Sequence, residues 1–576
     1  MKIWKWLFLL LLLLLLLALP IGLFMLGSSK PPLHKNSVLT VDLSRSVSEL
    51  PSTPNLQALI SGSVGHPLAA HEIAAALHAA AKDNHISGVF LHGSVSGSPA
   101  TLLAVREAIA AVRAAHKPVI AYYGSMDERT LWFASAADEL WMEPLGSIQI
   151  DGLATEIPYF GKLFEKYGIE VQVTRVGKYK SAVEPFMLES MSKENREQLS
   201  ALLGDVQNTL FDEIAAARSL ERAALDKASR EEGIVRAPDA LSRGWITRTG
   251  SFGEALADWK QKLKVDKDED LEQIDLVSYA KRLDPPEPDG RGVRVIEAEG
   301  EIVDGSSSEG IGGDDLSREL RAAREDKDVA AVVLRVNSPG GSATASDVIR
   351  AEVRALRAAG KPVVVSMGNV AASGGYWISA DADAIVAQPE TITGSIGVFG
   401  MMPNIERLAL EHGVRTEVVS TSPLAGWESM MRRKSPEQLA RMQFLVDDIY
   451  TRFLDLVAQG RKLERAKVEE IAQGRVWSGR AARELGLVDE LGNLDRAIAL
   501  AREKAKLPQD APVIRPRPEQ SFLQELIDQA LEGEPEPLAH SLDFRQAELQ
   551  QLQRLLEKWT RHQGIVARLP FDVEYR

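Results

Sequence analysis

The sequence contains no cysteine, and this absence removes several kinds of chemistry at once. Disulfide frameworks, thiolate nucleophiles, metal sites with cysteine ligands and a lipid anchor on an N-terminal cysteine are all excluded. The compartment is not settled by this absence, because an oxidising space permits disulfides without requiring them.

Long basic runs are also missing. The densest, Arg432 to Lys434, has three residues, and the formal charge of the chain is −14. This balance argues against nucleic acid as a partner.

What the chain does have is length and apolar content. Its 576 residues, 45% hydrophobic and 26% charged, are typical of a globular protein with several packed domains.

One long hydrophobic run stands near the N-terminus. Leu7 to Leu26 contains no charged residue, and as a helix these 20 residues rise about 30 Å, enough to cross a bilayer core. Lys2 and Lys5 precede the run, so the positive-inside rule places the residues after Lys30 across the membrane. The alternative is a cleaved signal peptide, whose apolar core is normally shorter. We expect a single-pass anchor in a bacterial inner membrane, with the body of the chain in the periplasm.

After the anchor the chain repeats itself. The stretch Ala114 to Ile120 recurs as Ala358 to Val364, 244 residues later. In each copy short β-branched runs alternate with amphipathic helices, which predicts an α/β fold of tandem βαβ units with a largely parallel sheet. The proline-rich stretch from Leu283 to Arg291 suits a linker. We divide the chain into an anchor (1–35), a first repeat (36–285), a second repeat (286–507) and a helical tail (508–576).

Small residues mark a candidate site in the second repeat. A predicted buried strand runs into the turn Asn337 to Ser342, where Gly340 and Gly341 let a backbone N–H face outward, as in half of an oxyanion hole. Pro-Gly-Gly is also a plain turn. The next strand, predicted over 363–366, leads to Ser373, which lies where a helix should begin, with the Gly374 N–H directed at a developing oxyanion. The alternative for Ser373 is a simple helix N-cap.

A serine nucleophile needs a base, and the usual histidine is missing. His412, the one histidine of the second repeat before the tail, resembles a helix C-terminal cap, and neither His-Glu-x-x-His nor Gly-x-Ser-x-Gly occurs. Metalloproteases and α/β-hydrolases are therefore excluded. The other known activator of serine is a neutral lysine, whose pKa must fall from about 10.4 to near neutrality. Lys180, just after a predicted strand over Val171 to Val176, is the candidate, although most lysines are solvated surface charges.

Four motifs, in this order, resemble the long form of signal peptide peptidase A: Tyr179 to Phe186, Asn337 to Ser342, Ala371 to Trp377 and Thr393 to Gly397. The resemblance implies a membrane-anchored serine endopeptidase with a Ser/Lys dyad and a fold related to the Clp protease and crotonase. The roles it implies are nucleophile for Ser373, general base for Lys180, oxyanion hole for the backbone of Gly340, Gly341 and Gly374, and orientation of the lysine for Ser395.

The resemblance also implies that no cofactor or metal is needed. Cleaved signal peptides and other apolar peptides are the implied substrates, and a homo-oligomer, most simply a tetramer, is the implied assembly. At the repeat offset the counterpart of Ser373 is near Arg129 and that of Lys180 is Ala425, so each copy lacks what the other keeps. Two alternatives stay open, an acyl-thioester enzyme of the same fold and a non-catalytic crotonase-like membrane scaffold.

Overall fold

The computed structural model describes residues 32–44, 47–49, 68–283, 290–307, 309–515 and 564–568. Strands and helices alternate through both halves, so the predicted α/β class is confirmed. The predicted anchor Leu7 to Leu26 lies outside the described residues, as do most of the predicted linker and the two stretches of the tail with a helical pattern, Phe522 to Leu531 and Arg545 to Trp559. Within the described ranges, no helix combines the length and the apolar character that a membrane span requires.

The elements of the first half begin at Ser37 and end at Ala280. Its strands are β1 (Ser37–Asp42), β2 (Val47–Ser48), β3 (Leu68–Ala69), β4 (Ile86–His92), β5 (Val119–Tyr123), β6 (Glu139–Met142), β7 (Ser147–Ile150), β8 (Glu170–Val176), β9 (Gly233–Arg236), β10 (Arg248–Thr249) and β11 (Gln273–Asp275). Its helices are α1 (Ala70–Lys82), α2 (Pro99–Ala114), α3 (Glu128–Ala134), α4 (Gly161–Lys166), α5 (Glu184–Met187), α6 (Lys193–Arg218), α7 (Arg222–Glu231), α8 (Ala237–Ser242), α9 (Phe252–Lys262) and α10 (Leu276–Ala280).

The second half contributes the remaining elements. Its strands are β12 (Gly292–Glu299), β13 (Ile302–Val303), β14 (Ile311–Gly312), β15 (Val329–Ser338), β16 (Gly340–Ser342), β17 (Val363–Ala372), β18 (Ala384–Ala387), β19 (Ile392–Gly394), β20 (Val398–Asn404), β21 (Val476–Ser478), β22 (Glu490–Leu491), β23 (Val513–Ile514) and β24 (Gly564–Arg568). Its helices are α11 (Gly313–Glu325), α12 (Ala343–Ala358), α13 (Gly374–Ser379), α14 (Glu406–Glu411), α15 (Pro436–Arg461), α16 (Arg465–Ile471), α17 (Gly479–Glu484) and α18 (Leu494–Lys504).

Each half contains a path of six parallel strands in the same order. In the first half the order is β10-β6-β5-β4-β1-β11, and in the second the corresponding path is β22-β18-β17-β15-β12-β23. The central strands are continuous apolar runs because helices cover both faces of each sheet. In β17, Val363, Val364 and Val365 are all fully buried. The predicted repeat of parallel βαβ units is thus visible as two paths of six parallel strands in the same order, and in the second half β19 and the antiparallel β21 extend the sheet from β17.

The two longest helices also correspond between the halves. Helices α6 and α15 each have 26 residues. Each begins with a serine whose hydroxyl accepts from the third residue after it, Ser192 from the Asn195 N–H and Ser435 from the Gln438 N–H. Such caps satisfy one of the free N–H groups of the first turn and set where the helix begins.

A third, mixed sheet joins the two halves, with the order β14-β13-β16-β24-β20-β8. Strand β8 comes from the first half and pairs antiparallel with β20 of the second, over seven residue pairs from Val176↔Val398 to Glu170↔Asn404. Because β8 leads directly toward Lys180, this pairing brings the first repeat's candidate lysine to the second repeat.

Two elements differ from the sequence prediction. The strand expected over 363–366 continues to Ala372, with a register shift in its pairing with β15 between Val336 and Ser338. The tail is not wholly helical, because Val513–Ile514 pairs with β12 and Gly564–Arg568 pairs with β16 and β20. Strands of two to five residues carry too little periodicity to be recognised from the sequence.

Candidate active site

Ser373 lies between the end of β17 and the start of α13. Its backbone has φ 56° and ψ −113°, a conformation that L-residues adopt only when the surroundings impose it. The Ser373 N–H donates to the Gly394 carbonyl at 2.8 Å, and its carbonyl accepts from the Trp377 N–H at 2.8 Å. The hydroxyl makes no capping hydrogen bond to the helix. Ser373 is therefore not the simple N-cap of the alternative interpretation, and its side chain is left for another partner.

That partner is Lys180 of the first repeat. The Lys180 Nζ lies 2.7 Å from the Ser373 Oγ and 3.0 Å from both the carbonyl oxygen and the Oγ of Ser395. All three side chains are fully buried. The structure thus brings together the three side chains that the sequence singled out from positions up to 215 residues apart.

The electrostatic setting of Lys180 favours a neutral amine. Burial lowers the pKa of the Lys180 amine well below its ordinary value of 10.5, and desolvation is its cause. An ammonium ion loses its hydration shell in such a place, and here the surrounding oxygens belong to neutral serine groups. A neutral amine has one lone pair, which can accept the proton of the Ser373 hydroxyl, and two N–H groups, which can donate to the two Ser395 oxygens.

Ser395 is fixed by its own backbone. It follows β19 with φ 49°, and its N–H donates to the Arg475 carbonyl at 2.7 Å. Its hydroxyl donates to the Gly474 carbonyl at 3.4 Å, so the oxygen lone pairs are available to accept from Lys180. This geometry suits a residue that orients the lysine.

A turn held against the second repeat positions Lys180. The Lys180 N–H donates to the Gly177 carbonyl at 3.1 Å, and the Tyr179 N–H donates to the Gln473 carbonyl at 2.9 Å. Gly474 has φ 75°, and a Cβ at this position would lie 2.6 Å from the Lys180 Cβ. A glycine is required there because the lysine stem passes directly over the backbone.

Two further positioning residues carry no signal in the sequence. Gln198, on α6, donates to the Tyr179 carbonyl at 3.0 Å and accepts from the Val476 N–H at 3.1 Å, so it ties the lysine turn to β21. The guanidinium of Arg475 lies 4.8 Å from the centroid of the Tyr179 ring and donates to its hydroxyl at 3.3 Å. One glutamine on a long helix and one arginine in a loop resemble ordinary surface residues until the fold places them.

The candidate oxyanion glycines lie close to one another. A Cβ on Gly374 would lie 3.1 Å from the Gly340 Cα and from the Gly341 N, so only a glycine allows this approach. Gly374 is the first residue of α13, where N–H groups have no acceptor within the helix. The Gly340 N–H, by contrast, donates to the Ser338 Oγ at 3.2 Å.

Comparison with known proteins decides the family. The profile of Peptidase family S49 matches this chain twice, over residues 111–266 and 355–508, which together make up more than half of its length. The chain belongs to peptidase family S49. The two matches of this S49 peptidase begin 244 residues apart, the offset of the internal repeat.

Curated relatives match most of this S49 peptidase. It is 39% identical to Protease 4 of Salmonella typhi over 76% of this chain and 72% of the relative, and 38% identical to Protease 4 of Haemophilus influenzae over 70% and 68%. It is 33% identical to the chloroplastic Serine protease SPPA of Arabidopsis thaliana over 83% and 70%. The protein is thus a serine protease, and the resemblance seen in its motifs is confirmed.

Among solved structures, ClpP1 from Listeria monocytogenes is similar to 34% of this chain and 91% of that chain, at 18% identity and a TM-score of 0.22.

Proposed function

We propose that this protein is a membrane-anchored serine endopeptidase that cleaves peptides with a Ser373/Lys180 dyad, one residue from each repeat. The observation that carries the proposal is the 2.7 Å distance between the Lys180 Nζ and the Ser373 Oγ, with the amine fully buried. A lysine in this environment is neutral enough to accept a proton, and the hydroxyl lies within reach of its lone pair.

In the first half of the reaction, Ser373 forms the acyl-enzyme. The Oγ attacks the carbonyl carbon of the substrate while Lys180 takes the hydroxyl proton. Backbone N–H groups stabilise the negatively charged oxygen of the tetrahedral intermediate by hydrogen bonds. The N–H groups of Gly374 and Gly341 are the candidate donors, because the Gly340 N–H already donates to the Ser338 hydroxyl. The intermediate collapses as Lys180 returns the proton to the leaving amine.

In the second half, water hydrolyses the acyl-enzyme. Lys180, again neutral, takes a proton from the water molecule that attacks the ester, and the same N–H groups stabilise the second oxyanion. Collapse releases the carboxylic acid, and the proton returns from Lys180 to the Ser373 oxygen. Ser395 holds the amine in one position through both steps, because two of its oxygens lie 3.0 Å from the lysine nitrogen.

Cleaved signal peptides and other apolar peptides are the substrates we propose. The support is the resemblance of four motifs to signal peptide peptidase A, together with the apolar run Leu7 to Leu26, which would hold the enzyme in a bacterial inner membrane with its body on the periplasmic side. We also propose that the protein forms a homotetramer, in which folded proteins could not easily reach the active sites.

Labelling with a fluorophosphonate probe tests the nucleophile. The full chain should react, and mass spectrometry should find the adduct on Ser373. Ser373→Ala should neither react nor cleave a casein or signal-peptide substrate. Ser379→Ala is a matched control, because Ser379 is a buried serine at the end of α13, the helix that follows Ser373, and its hydroxyl donates to the Gly375 carbonyl. The proposal would be contradicted if the probe labelled another serine, or if the folded protein did not react with the probe.

A further inference from the structure

The two repeats cover the same face of their sheets differently. In the second repeat α18 packs directly on the sheet through small residues, and its Ala497 and Ala501 are fully buried together with Val333 and Val364 of the sheet. The equivalent helix of the first repeat is α9, because each of these helices connects the two outermost strands of its six-strand path. The contacts of α9 with its sheet are of another kind.

Large aromatic side chains lie between α9 and the first sheet. Phe90 of β4 takes the place of Val333, and its ring centroid lies 5.3 Å from that of Trp259 on α9. The ring of Phe252 lies 5.9 Å from Phe90 and 5.4 Å from Tyr122 of β5. These rings need more room than alanine and valine, so the helix and the sheet enclose a cavity of about 730 Å³. This volume is typical of a small-molecule site.

The wall of this cavity suits an uncharged hydrocarbon chain. Besides the four aromatic residues, Val38, Ile120 and Leu256 line it. Among the lining residues, all of which belong to the described part of the chain, there is no lysine or arginine, and Asp275 adds a carboxylate. A free fatty acid would bring a second carboxylate without a cation to pair with it, which is costly away from water. A chain whose polar end stays outside the cavity avoids this cost.

The cavity lies close to the proposed membrane anchor. Pro32, the first residue that the structure describes, is one of its lining residues. It stands six residues after Leu26, where the apolar run ends, so even a fully extended chain keeps the cavity within about 20 Å of that end. Phe252 also lines the cavity and is 48% exposed, so the cavity is open on this side.

We propose that the cavity between α9 and the first sheet binds an acyl chain of a membrane lipid. The inference rests on the proposed function, since the anchor is what brings the cavity to the bilayer surface. The site is separate from the Ser373/Lys180 dyad and takes no part in the chemistry. A lipid chain held there gives the first repeat a second attachment to the bilayer besides the anchor.

Photolabelling of the full chain in vesicles tests the proposal. The vesicles contain phosphatidylethanolamine and phosphatidylglycerol, with a phosphatidylethanolamine that carries a diazirine at the end of one acyl chain. Mass spectrometry should find adducts in the anchor, which serves as the internal standard, and on β5 in the cavity wall.

Two variants reduce the space in the cavity from different sides. Leu256→Trp on α9 and Ser278→Leu on α10 both enlarge a lining residue. Exclusion of two methylene groups of the lipid chain should lower the labelling of β5, relative to the anchor, about tenfold. Ala257→Trp is the matched control, because Ala257 is the next residue of α9 and is exposed, and it should label β5 as the wild type does. Wild-type kcat with a peptide substrate shows that each variant is folded.

Three outcomes would overturn the inference. They are labelling of the anchor without β5, unchanged labelling of β5 in folded Leu256→Trp and Ser278→Leu, and equal labelling of β5 by a soluble diazirine fatty acid without vesicles, which would assign the site to free fatty acids. If neither the anchor nor β5 is labelled, the proposed membrane anchoring fails and this inference fails with it. Peptide cleavage by the dyad is measured separately, so its loss would not be confused with either result.

Discussion

Lys180 has two properties that are rarely combined, complete burial and an ionisable amine. Neutral hydroxyl and carbonyl oxygens surround the nitrogen, and burial depresses the pKa of the amine. In water a lysine is protonated until about pH 10.4 and cannot act as a base near neutrality. The environment of one side chain is thus what makes a serine hydrolase without a histidine chemically feasible.

The pH dependence of kcat/KM follows from this shift. Only the neutral amine accepts the Ser373 proton, so activity should be lost as the pH falls through the lowered pKa of Lys180 and should reach a plateau above it. The rising limb should lie well below the ordinary lysine value of 10.5. Steady-state rates between acidic and alkaline pH measure the limb, and a midpoint near pH 10.5 would contradict a buried base.

Ser373 and Lys180 are predictable from the sequence because their neighbours are distinctive. Glycine-rich turns and the absence of a usable histidine narrow the search, and the family motifs then mark the pair. Gln198 and Arg475 are not predictable, because their role depends on contacts that bridge 278 and 296 residues of chain, respectively.

At the scale of elements, short segments do most of the positioning. The long strands β8, β15 and β17 could be predicted from their apolar, β-branched runs. The three-residue strand β16 and the five-residue strand β24 could not, because segments this short carry too little hydrophobic periodicity. The turn from Gln473 to Arg475, which packs against Lys180, likewise lies outside every predicted motif.

Gly474→Ala tests the positioning role of this turn. The added Cβ would lie 2.6 Å from the Lys180 Cβ, at a backbone φ that alanine disfavours, so the lysine must move. A displacement of about 1 Å at a catalytic group lowers kcat about 100-fold. The measurement is kcat for a peptide substrate, with folding checked by circular dichroism.

Gly204→Ala is the control for this variant. Gly204 lies inside α6, and a Cβ added there would have no other atom within 4 Å. Alanine at this position should keep kcat and stabilise the fold by about 0.5–1 kcal/mol. Full activity in Gly474→Ala would show that the turn does not set the position of the lysine.

At the scale of the whole molecule, the site depends on contacts between the two repeats. Besides the β8–β20 pairing, α6 of the first repeat packs on β21 of the second, where the Ser478 hydroxyl donates to Asp205 at 2.6 Å. A second contact is the ion pair between Glu49 of the first repeat and Arg335 on β15 of the second, at 2.7 Å, and both side chains are more than nine-tenths buried. The duplicated sheets could be predicted, but not which surfaces of the repeats meet.

Glu49→Ala should destabilise the molecule strongly. It leaves the Arg335 guanidinium buried without its counter-charge, and loss of one partner of a buried pair costs about 3–5 kcal/mol. Urea unfolding should show a lower midpoint. Arg321→Ala breaks a pair between an exposed arginine and Glu352 and should leave the midpoint unchanged. Equal midpoints for Glu49→Ala and the wild type would show that this contact does not hold the repeats together.

The central claim, a base from one repeat that activates a serine from the other, is tested most directly by the kcat/KM of Lys180→Met. The substitution keeps an unbranched side chain of similar length but removes the amine. Lys434→Met is the control, because Lys434 is also buried but its side-chain nitrogen donates to the Ser429 carbonyl. We predict that Lys180→Met loses about three orders of magnitude or more while Lys434→Met retains activity. A folded Lys180→Met enzyme within about tenfold of the wild type would contradict the dyad and the two-repeat site with it.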